Sequence, residues 1–286
     1  MPVIKYSIHE SGYVGAFGTA TDKYVFMGNS LNATGVKAVS EALGSECLLI
    51  TVGMSDLVGI FARANSNGIV LSNIATESEI KRIKALVEGI NVGSISSNLN
   101  AIGNNILAND KVAIVNPEYG NDDVREIRDI LDVEVIRYSG ESFKTVGASN
   151  VLTNKGLLIN NRCSDEEKEE LDKATGMNSV RTTANTGALS IGLSVLANSK
   201  GVVIGSETTG FEIARITDAL DIGDEKGESM KYIVRGSIKK GSKQKFELEI
   251  EANSEKHATE SALVKIGSKQ GLSKSMIAIK EVVEAK

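Results

Sequence analysis

Tryptophan is absent, and aromatic residues make up only 4% of the 286-residue chain. The core therefore has to rest on Val, Ile, Leu and Ala rather than on large ring anchors. Proline occurs only 2 times, which excludes stiff proline-rich linkers, whereas 28 glycines imply many tight turns. The 2 cysteines, Cys47 and Cys163, are too few for a disulfide framework. Both sit beside apolar segments and read as buried free thiols. No run of 18 apolar residues occurs, so no membrane span is expected. The start, MPVIKYSIHE, has no basic stretch ahead of a long apolar core. No signal peptide is expected, and a reducing, cytoplasmic location follows.

Signatures of chemistry are equally scarce. There is no GxxxxGK[ST] loop to cradle phosphates and no HxxH, HExxH or CxxC spacing for a transition metal. Asp and Asn recur at strand reversals, where turn geometry explains them without calcium. No cofactor, no metal and no DNA or membrane partner is expected.

What the chain does contain is one phrase written five times. VGAFGTATDKYVFMGN begins at Val14, VGIFARANSNGIVLSN at Val58 and IGNNILANDKVAIVNP at Ile102. VGASNVLTNKGLLINN begins at Val146 and IGLSVLANSKGVVIGS at Ile191. The glycines Gly15, Gly59, Gly103, Gly147 and Gly192 mark a spacing of 44, 44, 44 and 45 residues. Each unit reads as a strand, a polar turn, a second apolar strand, a helix and a final strand. The turn of the third unit falls near Asn109 and Asp110. The helices carry start signals: Thr76 with Glu79 and Ser164 with Glu167 form capping boxes, and acidic residues crowd the first turns. Gly89 and Gly176 read as their stops.

A repeat of this length implies an array whose neighbours bury one another's apolar surface. The two ends decide between a line and a ring. The fifth unit, after FEIARITDAL, lacks its last strand, while the N-terminus has a spare one, VIKYSI from Val3. Moving the spare strand to the gap closes a five-bladed α/β ring and leaves no edge strands.

Charge divides the chain. Residues 1–229 carry 20 basic and 30 acidic residues, a net of −10, whereas residues 230–286 carry 12 and 7, a net of +5. GDEKGES between them reads as a short linker. The tail alternates as strand, strand, helix and strand, a small α+β domain. The expected domains are 1–224 and 230–286.

A five-bladed ring of this build resembles the pentein family, a pseudo-fivefold α-β propeller that includes guanidine-modifying hydrolases with a Cys nucleophile and a His base. His9 is the only histidine of the ring half, and no motif joins it to Cys47 or Cys163. A hydrolase is thus a weak alternative. The stretch LNAIGNNILANDKVAIVNPEY, from Leu99, is more specific. With VEVIR, TANTG and SETTGFEI it resembles the translation initiation factor 6 family, through Leu99, Gly103, Asn104, Asn109, Asp110, Pro117, Asn185, Gly187, Thr208, Thr209 and Glu212. Asn98, Asn116 and Thr186 depart from the family pattern at positions expected on the surface. The resemblance implies a non-catalytic factor, monomeric as a ring. It would bind the large ribosomal subunit, prevent joining of the small subunit and take part in large-subunit biogenesis.

The tail resembles the archaeal LX ribosomal protein family through Gly236, Ala252, His257, Ala258 and the IGSK segment from Ile266. That implies rRNA contact, with Lys231, Arg235, Lys239, Lys240, Lys243, Lys245, Lys269 and Lys274 as phosphate candidates. A purely structural ribosomal role is the competing expectation.

Overall fold

The computed structural model describes residues 2–140, 142–222, 230–238, 244–252 and 276–284, with 258, 259, 262, 263 and 266. The chain divides into two compact units, Met1–Ile222 and Gly223–Lys286.

In the first unit each repeat is a blade. Blade 1 has strands Gly18–Ala20, Tyr24–Gly28 and Glu46–Ile50, with helix Ala33–Leu43. Blade 2 has Ala62–Ala64, Gly68–Leu71 and Asn91–Ser94, with helix Glu77–Leu86. Blade 3 has Ile106–Ala108, Val112–Val115 and Glu134–Arg137, with helix Asn121–Leu131. Blade 4 has Val151–Leu152, Leu157–Asn160 and Val180–Thr182, with helix Asp165–Thr175. Blade 5 has Val195–Ala197, Val202–Gly205 and helix Gly210–Ala219. Its third strand is Val3–Tyr6, parallel to the second in register Val3↔Val202 to Tyr6↔Gly205. The N-terminal strand therefore closes the ring, as the unmatched ends imply. It stops at Tyr6 rather than Ile8. Ile8 instead bridges to Ser11 across His9 and Glu10, both at positive φ.

In blades 1 to 4 an antiparallel hairpin is followed by a helical crossover to a parallel third strand, whereas in blade 5 the N-terminal strand takes that third place. The hairpin turns follow from their first residue. In blade 2, the Asn65 Oδ1 accepts from the amides of Asn67 (3.0 Å) and Gly68 (2.9 Å), an Asx turn. The helices begin as their caps require, with reciprocal boxes at Thr76, Ser164 and Thr209. Gly176 ends its helix in the left-handed region, whereas the blade 2 helix ends at Leu86, before Gly89. Gly89, at φ 68°, shapes the turn that follows.

Two expectations need correction. The blades are separate three-stranded sheets, so each keeps two edges, which closure of the ring does not abolish. The hairpin read from Ile102 also starts later, because Ile102–Asn105 forms a helical turn and the strand begins at Ile106.

Packing explains the unbroken apolar second strands. Gly68–Leu71, Val112–Val115 and Leu157–Asn160 are buried at every residue, because both faces of each sheet are covered. Val25 and Met27 pack toward Val39 and Leu43, while Phe26 faces Val58, Ile69 and Ile83 of blade 2. Val70 in turn enters a cluster with Ile127 and Leu131 of blade 3. The core is thus a circle of clusters shared by consecutive blades. A fully buried Val, Leu or Ile contributes roughly 1.5–3 kcal/mol, so no blade retains its stability without its neighbours.

The second unit is an antiparallel sheet with Met230–Ile238 between Gln244–Ala252 and Ile277–Glu284. One face buries Tyr232, Val234 and Ile250 against Ala258 and Ala262, which are helical. A bulge falls at Arg235/Gly236. A Cβ on Gly236 would lie 2.5 Å from the backbone oxygen of Ala278, which cannot swing aside, so the central strand needs glycine there.

Candidate functional site

The ring has two distinct ends. Hairpin turns and helix C-termini share one; junction loops and helix N-termini share the other, because each helix runs back from the end of its second strand.

The hairpin end is a hydrogen-bonded circuit. Asn65 Nδ2 donates to the carbonyls of Asn109 (3.1 Å) and Leu131 (2.8 Å) in the next blade. Asn109 Nδ2 donates to Thr153 O (3.0 Å), and Asn198 Nδ2 to Thr21 O (2.9 Å). Asp110 accepts from the amide and hydroxyl of Ser66, and Asn154 Nδ2 donates to both Asp110 and Asp22. Asn109 and Asp110 therefore hold blades together.

Gly103 and its four counterparts line the axis as a second circuit, each against the preceding glycine's carbonyl. Leu99 accepts from Tyr119 Oη through its carbonyl (3.2 Å), and Pro117 is half-buried. Asn104 has a buried side-chain oxygen without a partner.

At the junction end five family-matching positions meet. Asn185 N donates to Thr208 Oγ1 (3.1 Å), and Asn185 Nδ2 donates to Gly12 O (2.9 Å) across the closing joint. The Glu212 carboxylate accepts from Thr209 N (2.8 Å), Gly187 N (2.9 Å), Thr186 N (3.2 Å) and Thr183 Oγ1 (2.7 Å). Asn185 and Thr186 have positive φ, a conformation this carboxylate clamp holds. Burial alone would raise the Glu212 carboxyl, but the hydrogen bonds outweigh it and bring it to about 2. Glu79 repeats the arrangement between blades 1 and 2, accepting from Thr51 Oγ1 (2.6 Å), Gly53 N (3.0 Å) and Met54 N (2.9 Å). It too is brought to about 2 against the opposing effect of burial. Glu167 follows suit with Ser142 N (2.8 Å). The capping boxes were legible in the sequence; the second grip of the same carboxylates on the preceding junction was not. The junction end exposes Met54, Tyr13 and Phe211 among these acidic first turns.

Of the three departures from the family pattern, Asn98 and Thr186 are exposed but Asn116 is buried. Asn116 Nδ2 donates to Asn105 Oδ1 (2.8 Å), so its change from the family residue is a core adjustment, not a surface one. Cys163 is buried and Cys47 only half-buried, a correction to the pair of buried thiols. Burial pushes both up to about 11, which keeps them protonated near neutrality and unsuited to attack. The exposed His9 ring sits 6.2 Å from that of Phe17.

In the second unit, Lys231 pairs with Glu249 (2.9 Å), and Arg235 with Glu247 (2.7 Å) and Glu281 (3.1 Å), on the exposed sheet face. Lys245 is exposed. Lys239, Lys240, Lys243, Lys269, Lys274 and His257, like the linker read at 223–229, lie outside the described residues. Among the described residues no helix is long and apolar enough to cross a membrane.

Comparison with known proteins assigns both units. Residues 230–283 match the family of ribosomal proteins 50S-L18Ae/60S-L20. Translation initiation factor 6 of Pyrococcus horikoshii is 38% identical over 224 residues, covering 77% of this chain and 99% of that protein. Its counterpart from Methanocaldococcus jannaschii is 37% identical over 214 residues, covering 73% and 93%. That of Saccharolobus islandicus is 33% identical over 221 residues, covering 77% and 99%. With its ring matched from residue 3 to residue 219, the chain belongs to the eIF-6 family.

Proposed function

We infer that this chain is a cytoplasmic translation factor that binds the large ribosomal subunit and keeps the small subunit from joining it. The observation that carries this reading is the family match across the entire ring. A ring suits exclusion by bulk, since its shared cores hold all five blades in one pose. The acidic helix starts at the junction end disfavour a broad phosphate contact there and favour docking on basic ribosomal proteins. The match of residues 230–283 to a ribosomal-protein family supports an rRNA contact by the second unit, through Lys245 with Lys239, Lys240, Lys243, Lys269 and Lys274. A role in large-subunit biogenesis belongs to the same reading.

Sedimentation tests it. The full chain is expected to travel with free large subunits and to be depleted from joined ribosomes. The ring, residues 1–224, should reduce joining by itself, and residues 230–286 should not. Full occupancy on translating ribosomes would instead favour a structural ribosomal component. A ring that neither binds large subunits nor reduces joining would refute the assignment.

A further inference from the structure

The repeat makes the junctions between blades directly comparable. The junction before blade 2 turns at Gly53 and Met54, φ 62° and 61°, and the one before blade 5 at Asn185, Thr186 and Gly187, all at positive φ. Each contains a glycine. Each is also gripped by the glutamate at the third helical position of the blade that follows, Glu79 and Glu212. The junction before blade 1 is a turn of the same hand. Ile8 and Ser11 exchange backbone hydrogen bonds (3.0 and 2.9 Å) around His9 and Glu10, at φ 51° and 62°. This turn has neither device. It contains no glycine, and the third helical position of blade 1 is Gly35, whose amide Asn32 caps (2.8 Å) but which has no side chain to reach back. Two residues with side chains held in the left-handed region are strained, and here that strain sits in the turn that keeps Val3–Tyr6 on its own ring.

We propose that the N-terminal strand exchanges between two copies of this chain, giving a dimer in which each ring is closed by the Val3–Tyr6 strand of the other copy. The strand pairs with blade 5 through four residues and reaches blade 1 through this one exposed turn. Its side chains fill shared cores: Val3 joins the cluster of Ile204 and Ile216, while Ile4, Tyr6 and Ile8 join that of Val14, Val25 and Leu43. An exchanged strand restores all of these contacts, so only the hinge distinguishes the two forms. With His9 and Glu10 extended, the strain is relieved in both copies, which favours the dimer against the freedom lost on association. The three residue steps from Ile8 to Ser11 reach about 10 Å, so the two rings meet by their junction ends. The acidic first turns at that end repel one another across the dimer, so concentrated protein and added salt promote the exchange.

The test uses the full chain. Refolding from urea at about 10 mg/mL in roughly 0.3 M sodium chloride should give a dimer by light scattering, and refolding at about 0.1 mg/mL a monomer. The dimer should persist on dilution, because its return to monomer requires the strand to leave its seat. His9→Asn combined with Glu10→Gly installs the pair that a two-residue left-handed turn prefers, and should lower the dimer yield at least about tenfold. Deletion of His9 and Glu10 removes the turn and should make the dimer dominant even in dilute protein. Crystals of the dimer fraction should show both hinge residues extended, with Val3–Tyr6 of one copy along Val202–Gly205 of the other. If the deletion does not fold, the double substitution and the dimer crystal decide together. A chain that stays monomeric under all these conditions overturns the proposal. A dimer equally abundant in the double variant, or one whose rings keep their own strands, is a surface contact and overturns it as well.

Discussion

Gly15 packs so tightly on Gly192 that a Cβ added to Gly15 would lie 2.2 Å from the Gly192 carbonyl oxygen. The same contact runs from Gly59 to Gly15, Gly103 to Gly59, Gly147 to Gly103 and Gly192 to Gly147, at 1.8–2.1 Å. Five glycines therefore close a circle around the axis, and only a residue without Cβ lets consecutive blades approach this far.

Gly103→Ala is expected to destabilise the ring by about 3 kcal/mol, since the obstructing atoms are backbone and cannot swing aside. Gly210→Ala, where nothing lies within 4 Å of the added carbon, should change stability by less than about 1 kcal/mol. Urea denaturation of both variants separates the two; equal costs would mean that the axial contact is not what limits the position.

Removal of residues 1–10 should leave the Val202–Gly205 strand with a bare parallel edge. Aggregation is expected, with rescue by a peptide spanning Val3–Tyr6 added during refolding. Unchanged solubility and melting would show that the N-terminal strand is dispensable for closure.

Acid should loosen the junctions. Glu79 and Glu212 titrate near 4.5 when unfolded and at about 2 when folded. A depressed folded value means that the stabilisation is complete above 4.5 and disappears as pH falls from there through about 2. For the buried Glu212 the contribution is roughly 2–3 kcal/mol. Glu212→Gln should thus cost most of that at pH 7 and almost nothing near pH 2, followed by urea titrations across the range. A cost independent of pH would place the effect in packing rather than in the charged hydrogen bonds.

In the second unit, Lys231 and Arg235 already face glutamates, whereas Lys239, Lys240, Lys243 and Lys245 fall close together in the sequence. Neutralising the four together should weaken rRNA binding and reduce its salt slope by roughly one per lost phosphate contact. Neutralising Lys231 and Arg235 should have a smaller effect on that slope. Filter binding across salt concentrations reads both; the reverse order would assign the contact to the ion-paired sheet face.

The sequence alone determined the five units, their order, the caps at Thr76 and Ser164, and the closing role of the N-terminal strand. These are local or periodic signals, carried by spacing, turn chemistry and one unmatched strand. Tertiary structure decided what each polar side chain does with its remaining capacity. Asn65, Asn109 and Asn198 read as turn formers, yet each also donates across a blade boundary. Glu79 and Glu212 cap helices with atoms that also hold a preceding loop. Asn116 was expected at the surface and is buried against Asn105. The physical reason is common to all of them. A linear pattern specifies which backbone groups a residue can reach within a few positions, but partners 11 to 177 residues away exist only once the ring has closed and placed them in hydrogen-bond reach.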